Sequence, residues 1–273
     1  MKVRLYDPNM NEIILRGVTW LEITPEPVTA ERYTEKVYNG DVPLGKSTNS
    51  RLINARLKYE SVDYLGYKLM RNELYSIFNP IKDMWAVDEE VPGIMWKVDV
   101  EDFDIERING RIGLVNLVFY SATTYARSIG TSLDAFTYDS GLWGYGMGLQ
   151  GEASTQNYIH SSANFSIFNP SNVEVDPREH ELKITLRSIS ATGSDIRVRN
   201  TTSDEVWRYQ GPFNVGDIIT IDGVITKRNG TNAVGFTGPT FSLISLVEGN
   251  NAITISGISG GFEITFEFPF LYV

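Results

Sequence analysis

The chain contains no cysteine, which excludes disulfide bonds, thiolate nucleophiles and thiolate metal ligands together. It has only two histidines, His160 and His180, so a three-histidine zinc site is excluded and a Ser-His-Asp triad would have to use one of these two. No apolar run approaches the roughly 20 residues that cross a bilayer, and Met1-Lys2-Val3-Arg4 leads into polar sequence rather than an export signal. We therefore expect no membrane partner, and stability that depends on packing.

Positive charge is also in short supply. The chain has 24 Lys and Arg against 34 Asp and Glu, a net charge of -10, and its pI is near 4.8. A negative net charge repels the phosphate backbone of nucleic acids, so tight binding of DNA or RNA is not expected. Apolar residues make up 42% of 273 residues, enough to bury a core and more than one small domain needs. We therefore expect two globular domains.

Strand patterns dominate the sequence. Apolar and polar residues alternate over residues 51–60, as in a half-buried strand, and again from Phe262 to Tyr272, which is the clearest period-two run. Shorter strands separated by Gly and Asn turns fill residues 182–258. These patterns predict a mainly β protein made of two β-sandwich domains.

One helix is predicted, over about residues 63–79, with Asp63 as its cap and Asn79-Pro80 as its end. An apolar stripe at helical spacing should cover a sheet; its members are Tyr67, Met70, Leu74, Ile77 and Phe78. Leu65 and Leu69 lie on roughly the opposite side. Either a loop buries them, which is the simpler interpretation, or they form a contact with another subunit.

Two further features of the first half are a hairpin and an arm. Asn109-Gly110 is a hairpin signal, and a change of phase near Glu101-Asp102 predicts a bulge in the incoming strand. Residues from about 29 to 50 form a long polar excursion that is unsuited to burial within the chain. A neighbouring copy could satisfy the backbone of this arm and bury some of its side chains. The predicted contact residues of this arm are Tyr33, Val37, Tyr38, Leu44 and Lys46.

Glycines accumulate between Ser128 and Gln156, where we place the domain boundary near Ala135. The predicted domains are therefore residues 1–135, with the helix and the arm, and residues 136–273.

No catalytic, cofactor-binding or metal-binding residue is predicted. The densest acidic segments are residues 88–90 and 99–106, and their alternation along a hairpin is typical of a solvent face rather than of two catalytic carboxylates across a cleft. Their spacing also does not fit a calcium loop. The string Gly146 to Gly151 matches G-x-G-x-x-G but lacks the strand and helix of a dinucleotide site, so it is interpreted as a turn.

The order of these elements resembles the distal tail protein (Dit) family of long, flexible-tailed bacteriophages. In the first half the resemblance rests on the polar excursion, the strand at 51–57, the helix after Asp63, the Asn109-Gly110 hairpin and Tyr125-Ala126-Arg127-Ser128. In the second half it rests on Phe168-Asn169-Pro170, Asn200-Thr201-Thr202, Gly216 to Asp222 and Val247 to Asn251. Ser171-Asn172 departs from the family, which usually has a glycine soon after the Asn169 position.

The resemblance implies a tail-tube-like first domain that forms a hexameric ring, an arm that clasps the neighbouring subunit, and a galectin-like second domain. It implies a channel for DNA at the tip of the virion tail, after assembly in the cytoplasm of the bacterial host. The implied partners are copies of the chain, the tail tube protein, a tail-associated hub or lysin protein and a receptor-binding protein. No cofactor and no enzymatic activity are implied.

Two other functions stay open. A carbohydrate-binding module would present Trp207, Tyr209 and Phe213 to a host glycan. A glycoside hydrolase would use two of the acidic residues.

Overall fold

The computed structural model describes residues 2–149, 156–238 and 243–273, and over these residues it is mainly β, as predicted. Contacts divide the chain into two compact units, Met1–Ala126 together with Val273, and Arg127–Tyr272. The boundary predicted near Ala135 falls inside the second unit. The reason is that strand Ala126–Thr131 pairs with the last strand, Pro269–Tyr272.

The first unit contains nine strands: β1 (Val3–Tyr6), β2 (Glu12–Ile13), β3 (Val18–Pro25), β4 (Ala30–Val37), β5 (Gly40–Thr48), β6 (Arg51–Glu60), β7 (Met84–Asp88), β8 (Ile94–Arg107) and β9 (Ile112–Ser121). Seven of them follow the order β2-β1-β7-β8-β9-β6-β3, and β4 and β5 pair only with each other. The pairings β1 with β2 and β7, β3 with β6, β4 with β5, β6 with β9, and β8 with β7 and β9 are antiparallel, as expected for strands joined by turns.

The core of this unit lies on one face of the sheet. In β6 the residues Ile53, Leu57 and Tyr59 are fully buried, whereas the intervening Asn54 and Arg56 are exposed, which confirms the predicted alternation. The Asn109-Gly110 hairpin joins β8 to β9, and the register shifts between Val100 and Asp102. Both predictions are therefore confirmed.

Helix α1 (Tyr64–Ile77) covers that face. The Asp63 carboxylate accepts a hydrogen bond from the Gly66 amide at 2.7 Å, which is the predicted N-cap. The predicted stripe packs on the core, with Tyr67, Leu74 and Phe78 buried. Among the described residues, no helix is long and apolar enough to span a membrane.

Twelve strands lie among the described residues of the second half: β10 (Ala126–Thr131), β11 (Ile159–His160), β12 (Asn164–Asn169), β13 (Lys183–Ser188), β14 (Thr192–Asn200), β15 (Glu205–Tyr209), β16 (Ile218–Asp222), β17 (Ile225–Arg228), β18 (Thr231–Asn232), β19 (Gly249–Ser259), β20 (Phe262–Glu267) and β21 (Pro269–Tyr272). One sheet has the order β11-β20-β13-β16-β17-β18 and the other β12-β19-β14-β15. The Phe165 ring of one sheet lies 6.0 Å from the Phe266 ring of the other, as in a sandwich. A specifically galectin-like character stays a prediction.

The C-terminal alternation is not one strand. Its aromatic residues are buried as predicted, but the strand is interrupted at Phe268. Before this residue β20 pairs with β11 and β13, and after it β21 pairs with β10. Pro269 has no amide hydrogen to continue the first ladder. The Ser132 hydroxyl stabilises the break, because it donates to the Phe266 carbonyl at 2.7 Å and accepts from the Phe268 amide at 3.1 Å.

A buried amide network holds the second sheet of this unit to its neighbouring loop. Asn251 accepts hydrogen bonds from Asn200 Nδ2 at 2.9 Å and from the Val247 amide at 3.0 Å. Its own Nδ2 donates to the carbonyl oxygens of Val247 at 2.8 Å and Gly249 at 3.1 Å. The motifs around Asn200 and Asn251 are therefore structural.

Candidate assembly surface

The arm is a regular β-hairpin that stands apart from the sheet. Strands β4 and β5 pair from Ala30 with Thr48 to Val37 with Gly40, and Tyr38-Asn39 form the two-residue turn. Every residue of β4 and all but one of β5 are exposed. An isolated two-stranded hairpin is marginally stable in water, so this segment has few reasons to persist alone.

The two faces of the arm differ in chemistry. Directly paired residues share a face and successive residues alternate, so Tyr33 and Val37 lie on the face of Val42, together with Glu31 and Glu35. The opposite face carries Arg32, Lys36, Lys46 and Asp41. The predicted contact residues are thus divided: Lys46 lies on the basic face, and Tyr38 lies at the tip. The most exposed member is Tyr38, whose accessibility is 102% of the reference value.

Buried polar contacts fix the root of the arm to the sheet. The Thr124 hydroxyl contacts the Asn49 carbonyl oxygen at 2.8 Å and Thr48 Oγ1 at 3.1 Å. Arg51 is buried, its Nε donates to the Glu26 carbonyl at 2.7 Å, and its guanidinium lies 4.9 Å from the centre of the Trp96 ring. Burial lowers the pKa of Arg51 from its usual value. The arm therefore leaves the sheet from a defined position.

The second predicted contact is the outer face of the helix. Leu65 and Leu69 are 66% and 61% exposed, and Val62 just before the helix is 87% exposed. No loop among the described residues covers them, so the simpler interpretation was wrong. Contact with another subunit stays a prediction, and within this chain the arm and these leucines are not brought together.

A groove that the sequence did not reveal lies at the end of the helix. It has a volume of about 630 Å³, and its lining includes Ile13, Ile77, Ile81 and Met84. Asp7, Lys82 and Asp83 add charge to this lining, and Pro8 completes it. Hydrogen bonds from the side chain and backbone of Asn11 hold the pKa of Asp7 below its usual value, so this carboxylate is ionised. The groove residues come from four separate elements, which no local pattern joins.

The acidic residues of β8 do not form a catalytic pair in a cavity of their own. Asp102, Asp104 and Glu106 follow one another on the exposed face of the strand. Burial, followed by repulsion from Asp83 and Glu101, raises the pKa of Asp99. Within the described residues, no group of His, Asp and Glu could hold a metal ion.

The aromatic residues that a glycan site would need are unavailable. Trp207, Tyr209 and Phe213 are each at most 1% exposed, and the Trp207 and Tyr209 rings stack in the core at 6.0 Å. The hypothesis that they face a glycan was therefore wrong. Alternation in β15 directs Trp207 and Tyr209 inward, and their exposure could not be read from composition.

Both histidines lie in the second unit, and His160 contributes to its packing. The His160 ring stacks on Phe165 with 4.2 Å between centroids, and its Nε2 lies 2.8 Å from the Asn157 carbonyl oxygen. Burial lowers the pKa of His160, against a smaller opposing effect of the Asn157 carbonyl. Burial also lowers the pKa of His180, against the charges of Glu179 and Asp176.

These shifts predict a pH dependence. In the unfolded chain both histidines have a pKa of about 6.5, which is above their pKa values in the folded protein. The unfolded state therefore binds more protons, so the free energy of unfolding should fall as the pH drops through about 6.5 and should level off below the folded pKa values. We expect the second unit to melt at a lower temperature at pH 5.5 than at pH 7.5. His160→Phe, which preserves the stacking, should reduce the difference. Calorimetry at the two pH values checks this, and an equal or larger difference in the variant would contradict it.

Comparisons with known proteins agree with this architecture. Residues 20–121 match the family model of the phage tail protein RIFT-related domain. No curated protein sequence matches the chain. The structure is similar to that of the Dit protein (gp 19.1) of phage SPP1, described as a paradigm of the hub adsorption apparatus of phages that infect Gram-positive bacteria. The identity is 10%, the match covers 99% of this chain and 100% of the other, and the TM-score is 0.70.

A chain of the phage P2 baseplate, in its activated conformation with calcium, aligns over 99% of this chain and 98% of its own at 11% identity. Its TM-score of 0.43 carries no weight for the fold. Residues 20–121 are thus similar to the phage tail protein RIFT-related domain, and the chain as a whole has the fold of the SPP1 Dit protein.

Proposed function

We propose that this chain is a non-enzymatic structural subunit of a phage tail tip, and that six copies form a ring around a channel for DNA. The ring would join the tail tube protein to a tail-associated hub or lysin protein, with a receptor-binding protein as a further partner. The fold shared with the SPP1 Dit protein and the tail-protein domain over residues 20–121 support this role.

The observation that carries the proposal is the arm. The hairpin has strands of 8 and 9 residues, all but one of which are exposed, and it pairs with no further strand among the described residues. Tyr33, Val37 and Val42 on one face are between 44% and 49% exposed. Burying a fully exposed apolar side chain is worth about 1.5–3 kcal/mol, so each of these half-exposed side chains can gain roughly half of that against a second copy.

The charge of the chain suits a channel that DNA must pass without being held. A net charge of -10 repels phosphate, and the exposed row Asp102, Asp104 and Glu106 adds a concentrated acidic strip to the first unit.

Shortening the arm tests the ring. Removing residues 39–50 would delete β5 and the anchored Asn49 together. Removing residues 32–46 and joining Glu31 to Ser47 through an Asn-Gly turn preserves a cross-strand pair and the root. We expect unchanged melting but a solution mass that falls from a ring to a single chain. Light scattering and calorimetry, with and without the tail tube protein, measure both.

The control is Val224→Ser, which alters a 57% exposed side chain at a turn of the second unit and should leave assembly intact. If the shortened chain forms rings to the same extent as the full-length chain, the arm has no role in ring assembly. A full-length chain that stays single even beside the tail tube protein would overturn the proposed ring.

A further inference from the structure

We propose that the arm tip of one copy, led by Tyr38, seats in the groove beside Ile81 of the next copy. This inference rests on the proposed ring and names the surface that receives the arm.

The two surfaces lie at opposite ends of the strand order. The arm interrupts the connection between β3 and β6 at one end. The groove lies at the other end, where its lining comes from the turn after β1, from β2, from the end of α1 with the loop that follows, and from the start of β7. Rings are built from heterologous contacts, in which two different patches of identical copies meet. An arm and a groove at opposite ends of one sheet satisfy this requirement.

The strand register also places the groove and the root of the arm at nearly the same level along the strands. Met84 at the groove pairs with Val98, and the adjacent Asp99 pairs with Tyr120. Tyr120 in turn pairs with Leu52 at the root of the arm. A β4 strand of 8 residues, at about 3.3 Å per residue, reaches about 26 Å from that root, enough to extend beyond its own sheet edge.

The arm does not occupy its own groove. Tyr38 is fully exposed, and no arm residue lines the groove, whose rim residue Ile81 is 90% exposed. The groove volume of about 630 Å³ lies within the roughly 300–1,000 Å³ of sites that hold compact ligands, so a turn with one aromatic ring can enter it. The groove lining carries the carboxylates of Asp7 and Asp83 beside Lys82, and Asp83 lies 3.7 Å from Lys97 Nζ. The Asp7 carboxylate is opposite in charge to Lys36, the lysine nearest the arm tip.

The absence of cysteine makes the test direct. Cysteines at Tyr38 and Ile81 of one chain can form a disulfide between copies only where their Cα atoms come within about 7 Å. We expect Tyr38→Cys with Ile81→Cys to give a ladder of covalent multimers under oxidation, at least about tenfold more than the control. The control pairs Tyr38→Cys with Val62→Cys, a side chain of similar exposure, 87%, beside the outer face of the helix.

Because Tyr38→Cys removes the aromatic ring, a second measurement keeps it. In Ile81→Cys alone, alkylation should slow at least about tenfold on assembly, and the added shortening of the arm should restore the fast rate. Protection that survives the shortened arm would show another occupant, such as a small apolar ligand, and would overturn the inference.

The outcomes separate the two proposals. Suppose that rings of the expected mass form but that Tyr38→Cys cross-links to Val62→Cys, or to neither position. This result would overturn the groove assignment, and the proposed ring would stand. Single chains in every mixture, including those with the tail tube protein, would overturn both.

Discussion

Asn251→Ala should destabilise the second unit by about 3–5 kcal/mol, because it leaves buried polar groups without partners. The amide side chain is fully buried and joins Asn200, Val247 and Gly249. Each buried donor or acceptor left unsatisfied costs roughly 1–3 kcal/mol. Urea denaturation, or the melting temperature from calorimetry, gives the difference.

The neighbouring residue provides the control. Asn250 is exposed, so Asn250→Ala should change stability by less than about 0.5 kcal/mol. Asn251→Asp should be at least as damaging as the alanine variant, since a carboxylate cannot donate to the Val247 and Gly249 carbonyls and would face them with its charge. Equal stability of the Asn250 and Asn251 variants would show that the network contributes nothing.

Gly113→Ala should destabilise the first unit by about 1–3 kcal/mol or slightly more. Gly113 pairs with Tyr59 across β9 and β6, and an added Cβ would lie 2.2 Å from Cε1 of that ring. The ring cannot move away easily, because it is fully buried and its centre lies 5.2 Å from that of Tyr67 on the covering helix. Overpacking of this kind costs about 1–3 kcal/mol and occasionally more.

A double-mutant cycle isolates the clash. Tyr59→Leu should itself be destabilising, but Gly113→Ala should cost at least about 1 kcal/mol less in its presence. Gly45→Ala is the matched glycine control in the arm, where an added Cβ meets nothing within 4 Å, and it should be neutral or slightly stabilising. An additive cycle would show that the contact with Tyr59 is not the cause.

Local patterns predicted much of the first unit. Alternation identified β6, helical spacing identified the stripe of α1, and Asn109-Gly110 identified a hairpin, because each signal lies within a few residues. The exposure of the arm was also foreseen from its polarity, although its regular pairing was not.

Features that depend on distant residues escaped prediction. Alternation from Phe262 to Tyr272 gave no sign that the two halves of the run pair with different strands. The groove brings Asp7 and Ile13 beside Ile77 and Met84, which only the folded sheet places together. The burial of Trp207 depends on the sheet that faces it. Leu65 and Leu69 are exposed because no described segment of the chain covers them.

The arm is inserted between β3 and β6, two antiparallel neighbours that pair from Pro25 with Ile53 onwards. Neighbours of this kind can be joined by a tight turn, so the sheet does not require the insertion in order to fold. The hairpin can therefore lengthen, shorten or change its side chains at little cost to the scaffold. In the proposed ring, subunit specificity can therefore change through this one insertion while the rest of the domain stays under the constraints of its core.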